Sequence, residues 1–595
     1  MSALAAGVER RRTRAIARVV AVLLGVEALA GSAPARADQA ELMQWAARKR
    51  DEIRALDVRP RSVEARFNEP VLVQGAFKAV VQPSPSDGKR NAETAELYAA
   101  LIGRSGVKSL IWTGIESGNP LTRAEDHRWD SIEDQGLFDP ARRRRFIAEL
   151  KTLGIVNIRV GLSNHRIDLD REDTWREHDA LIRDLNEGGL NISLDLQHFG
   201  IEDRFRVVGP DGRTVGEKSY YLHPDWPDYF ARFAVAAFAR YRHQIKAVTL
   251  VNEPETTVGF NGEMWHGGFP RWTDPRKNFF YIERAVQVAK AALKARLAIQ
   301  ERMAGSGGRV LFLHPEAAVF KPYWGDFNAF VRFFVGDLML GQNWLFAADL
   351  GALARRPMGD IVGGWGRKPR ADRTSLDWAI ENYVVYNQPA QARDANRARL
   401  VTLLGELRAL HDLLGRRYGV TMRTDTVFGV DYYAHNEDKD AARRTLSVQP
   451  QNYAAEVRTG RRAGLHPAIV DYFNRYQIPV MVGETGTPYF HYGARWHGQM
   501  LLECARAAGD GVPFLGYTIY PALDTWGWET ALSVPKRQTL LNPGGLLDPG
   551  MAPRPFVGRL LGSLAAGMPM VEADHSARPS QPLAPNDKRP EVAIP

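Results

Sequence analysis

An α/β chain in which eight parallel strands alternate with helices and close into a barrel is what this sequence predicts. Two observations point to it. From about residue 106, short apolar runs alternate with amphipathic stretches, and polar or charged residues crowd the C-terminal ends of those runs. Together they describe a (β/α)8 TIM barrel, whose functional groups sit at the C-terminal mouth, here with an N-terminal extension and long loop insertions.

The runs follow in order: VKSLIWTG (107–114), IVNIRVGL (155–162), LNISLDLQ (190–197), KAVTLVN (246–252), RVLFLH (309–314), TVFGVDYY (426–433), IPVMVGE (478–484) and PFLGYTIY (513–520). After the third run, a segment with apolar residues at helical spacing opens with Asp225 as expected N-cap and Pro227 in the first turn. YIERAVQVAKAALKARLAIQ after the fourth repeats the pattern, its basic residues reading as a solvated face. Between the fifth and sixth runs, the basic segment 352–373 holds Gly363, Gly364 and Gly366 around Trp365 and is expected to be a mobile loop near the mouth, or a disordered linker.

The expected domain organisation is residues 1–37 as a signal peptide, 38–105 as an extension packing on the barrel, 106–569 as the barrel and 570–595 as a Pro-rich polar tail. The chain has 595 residues, 45% hydrophobic and 25% charged, a globular profile. Its N-terminus runs from a basic stretch (10–18) through an apolar stretch (19–30) to Ala35-Arg36-Ala37, the order of a secretory signal. Export to the periplasm or beyond is expected. Glu27 leaves an uncleaved anchor open, although the apolar stretch is shorter than a spanning helix needs, so no stable membrane span is expected. Residues 1–37 hold six Arg and two Glu of the net charge of +9, and the remainder at +5 does not imply a nucleic-acid partner. Cys504 is the single cysteine, which excludes an internal disulfide, and its setting LLECARAA reads as a buried helix face.

Glu116, Asn164, His198, Asn252, Glu253, His314, Glu316, Asp431, Tyr433, Glu484 and Trp526 fall at or just beyond run ends. Cleaving a glycosidic bond needs two carboxyl groups flanking the anomeric carbon, one to protonate the leaving oxygen and one to attack or to activate water. Glu253 in TLVNEPE and Glu484 in MVGETGTP end the fourth and seventh runs, which sets both over one mouth. The 14 His include no His-Glu-x-x-His run, and GGWG lacks the spacing of a phosphate-cradling loop, so neither a metal nor another cofactor is expected.

These segments resemble the family 1 glycoside hydrolases, in order, over residues 109–529. NIRVGLSNHR is similar to the family's second-strand segment with its inward Arg, here Arg159, and LDLQHFGIED to the third-strand segment with a sugar-binding His, here His198. AVTLVNEP resembles the acid/base signature, VFGVDYYA the sixth-strand tyrosine segment, PVMVGETG the nucleophile signature, and GYTIYPALDTWGWE the eighth-strand segment lining the sugar subsite. The resemblance implies Glu253 as acid/base, Glu484 as nucleophile, and supporting roles for Asn252, Arg159 and Tyr433. It further implies a retaining β-glycosidase acting on a carbohydrate partner, with His198, Glu116, Asp431, His314, Glu316, Tyr520, Trp526 and Trp528 as candidate sugar contacts. Departures gather among the sugar contacts. Tyr520 stands for the family's Trp, Gly527 for a Glu before Trp528, Glu116 near the usual Gln, Asp431 for Asn, and Phe199 for Trp. An endo-acting hydrolase or transglycosidase, with Trp265, Trp272, Trp324 and Trp365 along an open cleft, and a glycan-binding barrel without catalysis both stay open.

Overall fold

The computed structural model describes residues 79–565, apart from 104–105, 117–130, 211–219, 261–279, 306–307, 319–326, 366–372, 387–389, 435, 438–452, 455, 458–461, 488–491 and 527–540. The signal-like segment, most of the extension and the tail therefore lie outside the described residues. Eight parallel strands close into a barrel: β1 (Ile111–Ile115), β2 (Asn157–Gly161), β3 (Asn191–Asp195), β4 (Ile245–Thr249), β5 (Leu311–Ala317), β6 (Thr426–Asp431), β7 (Val480–Thr485) and β8 (Phe514–Ile519), with β8 pairing back to β1. All eight expected runs are strands. The first begins later than expected, because Gly106–Leu110 forms a helical turn that presents the Ser109 carbonyl to Tyr98.

The principal helices are α1 (Pro85–Leu101), α2 (Pro140–Thr152), α3 (Arg176–Glu187), α4 (Trp226–Tyr241), α5 (Tyr281–Ala304), α6 (Phe327–Leu340), α7 (Arg393–Tyr418), α8 (Leu465–Tyr476), α9 (Gly493–Gly509) and α10 (Pro555–Ala565). From α2 onward they sheath the barrel, and a continuous apolar layer including Ile158, Val160, Leu194 and Val248 separates them from the strands. Cys504 is buried on α9. Among the described residues no helix is long and apolar enough to cross a membrane.

Caps explain several starts. Ser84 Oγ accepts from the Asp87 amide at 3.2 Å ahead of α1, and Asp139 Oδ1 accepts from Arg142 at 2.7 Å ahead of α2, each with Pro next in sequence. Asp225 occupies the N-cap position of α4, but its side chain makes no capping hydrogen bond; buried Trp226, Phe230, Phe233 and Phe238 hold that helix instead. The segment expected as a loop is helical over Leu350–Arg355 and Met358–Trp365. Asp349 caps the first of these at 2.7 Å, and Leu350, Leu353 and Ile361 are buried, which outweighs the glycines. The basic face of α5 is not wholly solvated either. Arg284 and Arg296 are buried, Arg296 lying 3.4 Å over the Phe312 ring, while Lys290 and Lys294 reach out to Glu406 and Asp228.

Helix α1 closes the N-terminal end of the barrel. Leu97, Tyr98 and Ile102 pack on Trp112, Ala247, Leu311, Val427 and Met481. Trp112 Nε1 donates to the Tyr98 hydroxyl at 2.8 Å, and that hydroxyl donates to Ser109 O at 2.8 Å, so no polar group of the pair is stranded. Above this floor stand Gly114, Gly429 and Gly483. A Cβ on Gly429 would press to 3.0 Å from Pro315 Cα, one on Gly114 to 3.2 Å from the Tyr520 ring, and one on Gly483 would collide with Asp431 Oδ1. Removing side chains from this layer gives the next one its room.

Candidate active site

That next layer is polar and belongs to the C-terminal mouth. Arg159, central in β2 and in register with Gly114 and Ser193, is its hub. Its Nη1 donates to Glu484 Oε1 at 2.7 Å; its Nη2 donates to Asp195 Oδ2 at 2.7 Å and to Asn252 Oδ1. The Tyr433 hydroxyl donates to Glu484 Oε2 at 2.9 Å, so both oxygens of that carboxylate are held. His198 bridges the far side, with Nδ1 2.9 Å from Asp195 Oδ2 and Nε2 against Glu116 Oε2. Tyr520, just after β8, hydrogen-bonds to Glu116.

Glu253 follows β4 with φ 38°, a left-handed backbone that costs a non-glycine residue about 1–3 kcal/mol. Three contacts hold it. The Asn252 amide donates to Gln197 O at 2.8 Å, the Glu253 amide donates to Pro315 O at 3.1 Å, and the Glu253 carbonyl accepts from the Thr257 amide at 2.7 Å. The carboxyl group so placed is 8% exposed, and one of its oxygens lies within 4.8 Å of an oxygen of Glu484 and of one of Asp431. Asp431 ends β6, in register with Ala317 on one side and Glu484 on the other.

The charges are unevenly satisfied. Burial, then the negative Glu484, pushes the Glu253 pKa up. Burial also raises Glu484, while Arg159 is the main force pulling it down. Asp431 is driven well above the ordinary carboxyl range by burial and by Glu484 and Glu253. Against the upward push of burial, Arg159 and His198 hold Asp195 below its ordinary range. Burial alone would lower His198, but Glu116 and Asp195 on its two nitrogens carry it up to about 10. With both nitrogens protonated, the 3.2 Å approach of Asn252 Nδ2 to His198 Nε2 is not a hydrogen bond, which leaves the Asn252 amide N–H groups for a ligand.

Arg159, His198, Asn252, Glu253, Asp431, Tyr433, Glu484, Glu116 and Tyr520 are thus brought together. Others are not. His314 turns away from the barrel axis, with its ring 5.3 Å from Phe428 and its Nε2 near Gly336 of α6, where burial lowers its pKa to about 3. Glu316 lies beneath Glu253, its oxygens accepting from the backbone amides of Glu255, at 3.1 and 3.3 Å, and of Ala317, at 3.0 Å. It secures the turn after β4. The Trp526 backbone forms β9 (Thr525–Trp526), antiparallel to β10 (Leu541–Asn542). Trp528, Trp265, Trp272 and Trp324 lie outside the described residues. Asp195 was not singled out in the sequence, yet it joins Arg159 to His198; its signal was the i,i+3 spacing to His198 across the end of β3.

Two triads of possible cation ligands arise here, Glu116, His198 and Glu484, and Glu253, Asp431 and Glu484, each with ligand atoms within 4.8 Å. The first does not suit a metal ion, since the His198 nitrogens carry protons toward carboxylates and Glu484 is held by Arg159 and Tyr433. In the second, both oxygens of Asp431 are buried without a hydrogen-bond partner among the described residues, while Glu484 is held by Arg159 and Tyr433.

No protein-family model matches the sequence, and neither does any curated protein. Among solved structures, the fold is similar to the β-glucosidase from Thermotoga maritima in complex with methoxycarbonyl-substituted glucoimidazole, at 12% identity and a TM-score of 0.49, over 78% of this chain and 98% of that one. It is also similar to Fpglu1 from Fervidobacterium pennivoraus, at 13% and 0.47, over 77% and 95%, and to the family 1 β-glucosidase from Thermotoga maritima, at 14% and 0.47, over 77% and 98%. These likenesses are distant, and the (β/α)8 architecture stands on the closed eight-stranded ring itself.

Proposed function

We propose that this protein is a retaining β-glycosidase, exported from the cytoplasm, with Glu253 as acid/base and Glu484 as nucleophile. The observation that carries the reading is the pair itself. Two buried carboxyl groups, one just after β4 and one on β7, approach within 4.8 Å, oxygen to oxygen, and their surroundings push them toward different tasks. Double displacement needs the two carboxyl groups close, about 5–5.5 Å apart, whereas inversion needs room for a water and a separation of roughly 6.5–9.5 Å; the approach of the nearest oxygens supports the closer arrangement.

Glu484 has a cation on one oxygen and a phenol on the other, which aims and stabilises the ionised form needed for attack. Glu253 has no such cation and retains its proton, which it would pass to the leaving oxygen as Glu484 bonds to the anomeric carbon. Once Glu484 is esterified its charge is gone, the Glu253 pKa falls, and Glu253 takes a proton from the water that releases the sugar. Asn252, with N–H groups to give, suits an acceptor oxygen of the sugar. The basic, apolar and small-residue order of residues 10–37 supports export.

The test is release of dinitrophenol from aryl β-glycosides by the wild type and by Glu484→Ala, with the anomer of the first product read by NMR. Turnover giving the β-anomer, lost in the variant, is expected. An α-anomer as first product, or undiminished turnover in the variant, would overturn the assignment.

A further inference from the structure

The two-carboxyl mechanism makes no use of Asp431. Its side chain is fully buried, and neither oxygen has a hydrogen-bond partner among the described residues. It is nonetheless aimed at the reacting centre, with an oxygen within 4.8 Å of oxygens of both Glu253 and Glu484. Gly483, with no Cβ to obstruct it, gives the carboxyl its place. The cations nearby are already engaged: Arg159 serves Glu484 and Asp195, and His198 serves Asp195 and Glu116. Five carboxyl groups, Glu116, Asp195, Glu253, Asp431 and Glu484, therefore share two cationic side chains among the described residues.

A ligand that brings hydrogen-bond donors and positive charge would complete this site. Its position follows from the glycosidase reading, on which this inference rests. A group near both the nucleophile and the acid/base lies next to the anomeric carbon, and the neighbours of that carbon are the ring oxygen and the glycosidic oxygen, neither of which carries a hydrogen, and C2. A C2 hydroxyl has one proton to give and no charge, whereas an ammonium has three protons and the charge.

We propose that Asp431 binds the C2 ammonium of a 2-amino-2-deoxy-β-glycoside, so that the substrate is a glycan containing amino sugars with free amines. A positive group at C2 opposes the positive charge that grows at C1 in the transition state. The Asp431 carboxylate beside it offsets that penalty, as fixed charges do in a dry site. Because burial among acids raises the Asp431 pKa in the empty site, an ammonium bound beside it draws that pKa down and favours release of the Asp431 proton to solvent.

The test pairs 4-nitrophenyl 2-amino-2-deoxy-β-glucoside and its galacto epimer with their 2-hydroxy parents, in the wild type and in Asp431→Asn. The wild type is expected to favour the amino glycoside of one pair, and the near-isosteric variant to lose about a hundredfold more in kcat/KM on it than on the parent. A wild-type preference for the parent in both pairs, or equal losses on both partners, would overturn the proposal. Activity abolished by a chelator and restored by calcium or magnesium would overturn it in favour of a metal at Asp431. If neither protein cleaves anything, the glycosidase reading fails, and calorimetry with methyl 2-amino-2-deoxy-β-glucoside in buffers of different ionisation enthalpy decides the inference alone. Binding with proton release, lost in Asp431→Asn, keeps the ammonium site; no binding, or binding indifferent to the variant, removes it.

Discussion

The two ends of the barrel interior are built on opposite terms. At the N-terminal end, α1 packs leucine, isoleucine and tyrosine onto the floor, and both polar atoms of the Tyr98–Trp112 pair are satisfied. At the C-terminal end, acids outnumber cations among the described residues, Glu253 sits on a left-handed backbone, and Asp431 has no partner there. The floor is what a chain does to stay folded. The mouth retains charge repulsion and strain that packing could remove, and such costs concentrate where a site is arranged for chemistry. Substitutions should therefore act differently at the two ends, harming stability alone below and activity first above.

The largest effect is expected from Glu484→Gln. Aryl glycoside hydrolysis should fall by at least about a thousandfold, as when one member of a catalytic unit is removed, while the urea midpoint does not fall, because one of several crowded acids has been neutralised. A variant that loses stability in proportion to activity would erase the contrast between the ends. Arg159→Met comes next. It strips the partner from Glu484 and Asp195 at once, and breaking a buried pair by removing one side costs about 3–5 kcal/mol, to be read by urea denaturation. Here alone a change at the mouth should unfold the protein more readily than one at the floor.

The third comparison is with pH. The folded-state pKa of Glu253 and of Asp431 is raised, so between the ordinary carboxyl range near 4 and those raised values the folded chain holds more protons than the unfolded one. Their contribution to stability is then fully present at low pH and is lost as pH rises through the folded-state values. Glu253→Gln should flatten that decline, melting about 2 °C or more above the wild type at pH 8 with the gap closing toward pH 4. A gap that widens on acidification would show the sign to be wrong. The smallest effect belongs to the floor. Tyr98→Phe strands the Trp112 N–H and should cost about 1–3 kcal/mol with kcat unchanged; a change in kcat would join the two ends after all.

Much of the architecture was legible because each buried parallel strand is a dense apolar run bounded by polar residues, as in AVTLVNEP and PVMVGETG. The same property hid the direction of side chains. With both faces of β5 buried, nothing in RVLFLHPE distinguishes an inward residue from an outward one, and His314 faces α6 while Glu316 serves the backbone beneath Glu253. Asp195 escaped notice because an acid inside LDLQ reads as a strand residue until Arg159 and His198 are seen on either side of it. Arg284 and Arg296 were read as solvated, since basic residues on a long amphipathic helix usually are; long stems let Arg296 lie along Phe312 instead. Helix Leu350–Arg355 shows that an aspartate cap and two leucines can outweigh neighbouring glycines.

Gly483 ties the identity of two positions together. Any side chain there meets the carboxyl of Asp431, so an alanine at 483 displaces that carboxyl unless a smaller residue stands at 431. In a double-mutant cycle the two should be strongly non-additive. Among descendants of this sequence they should change as a pair, which makes the glycine a readable marker of whether a side chain as large as that of Asp431 still fills this place.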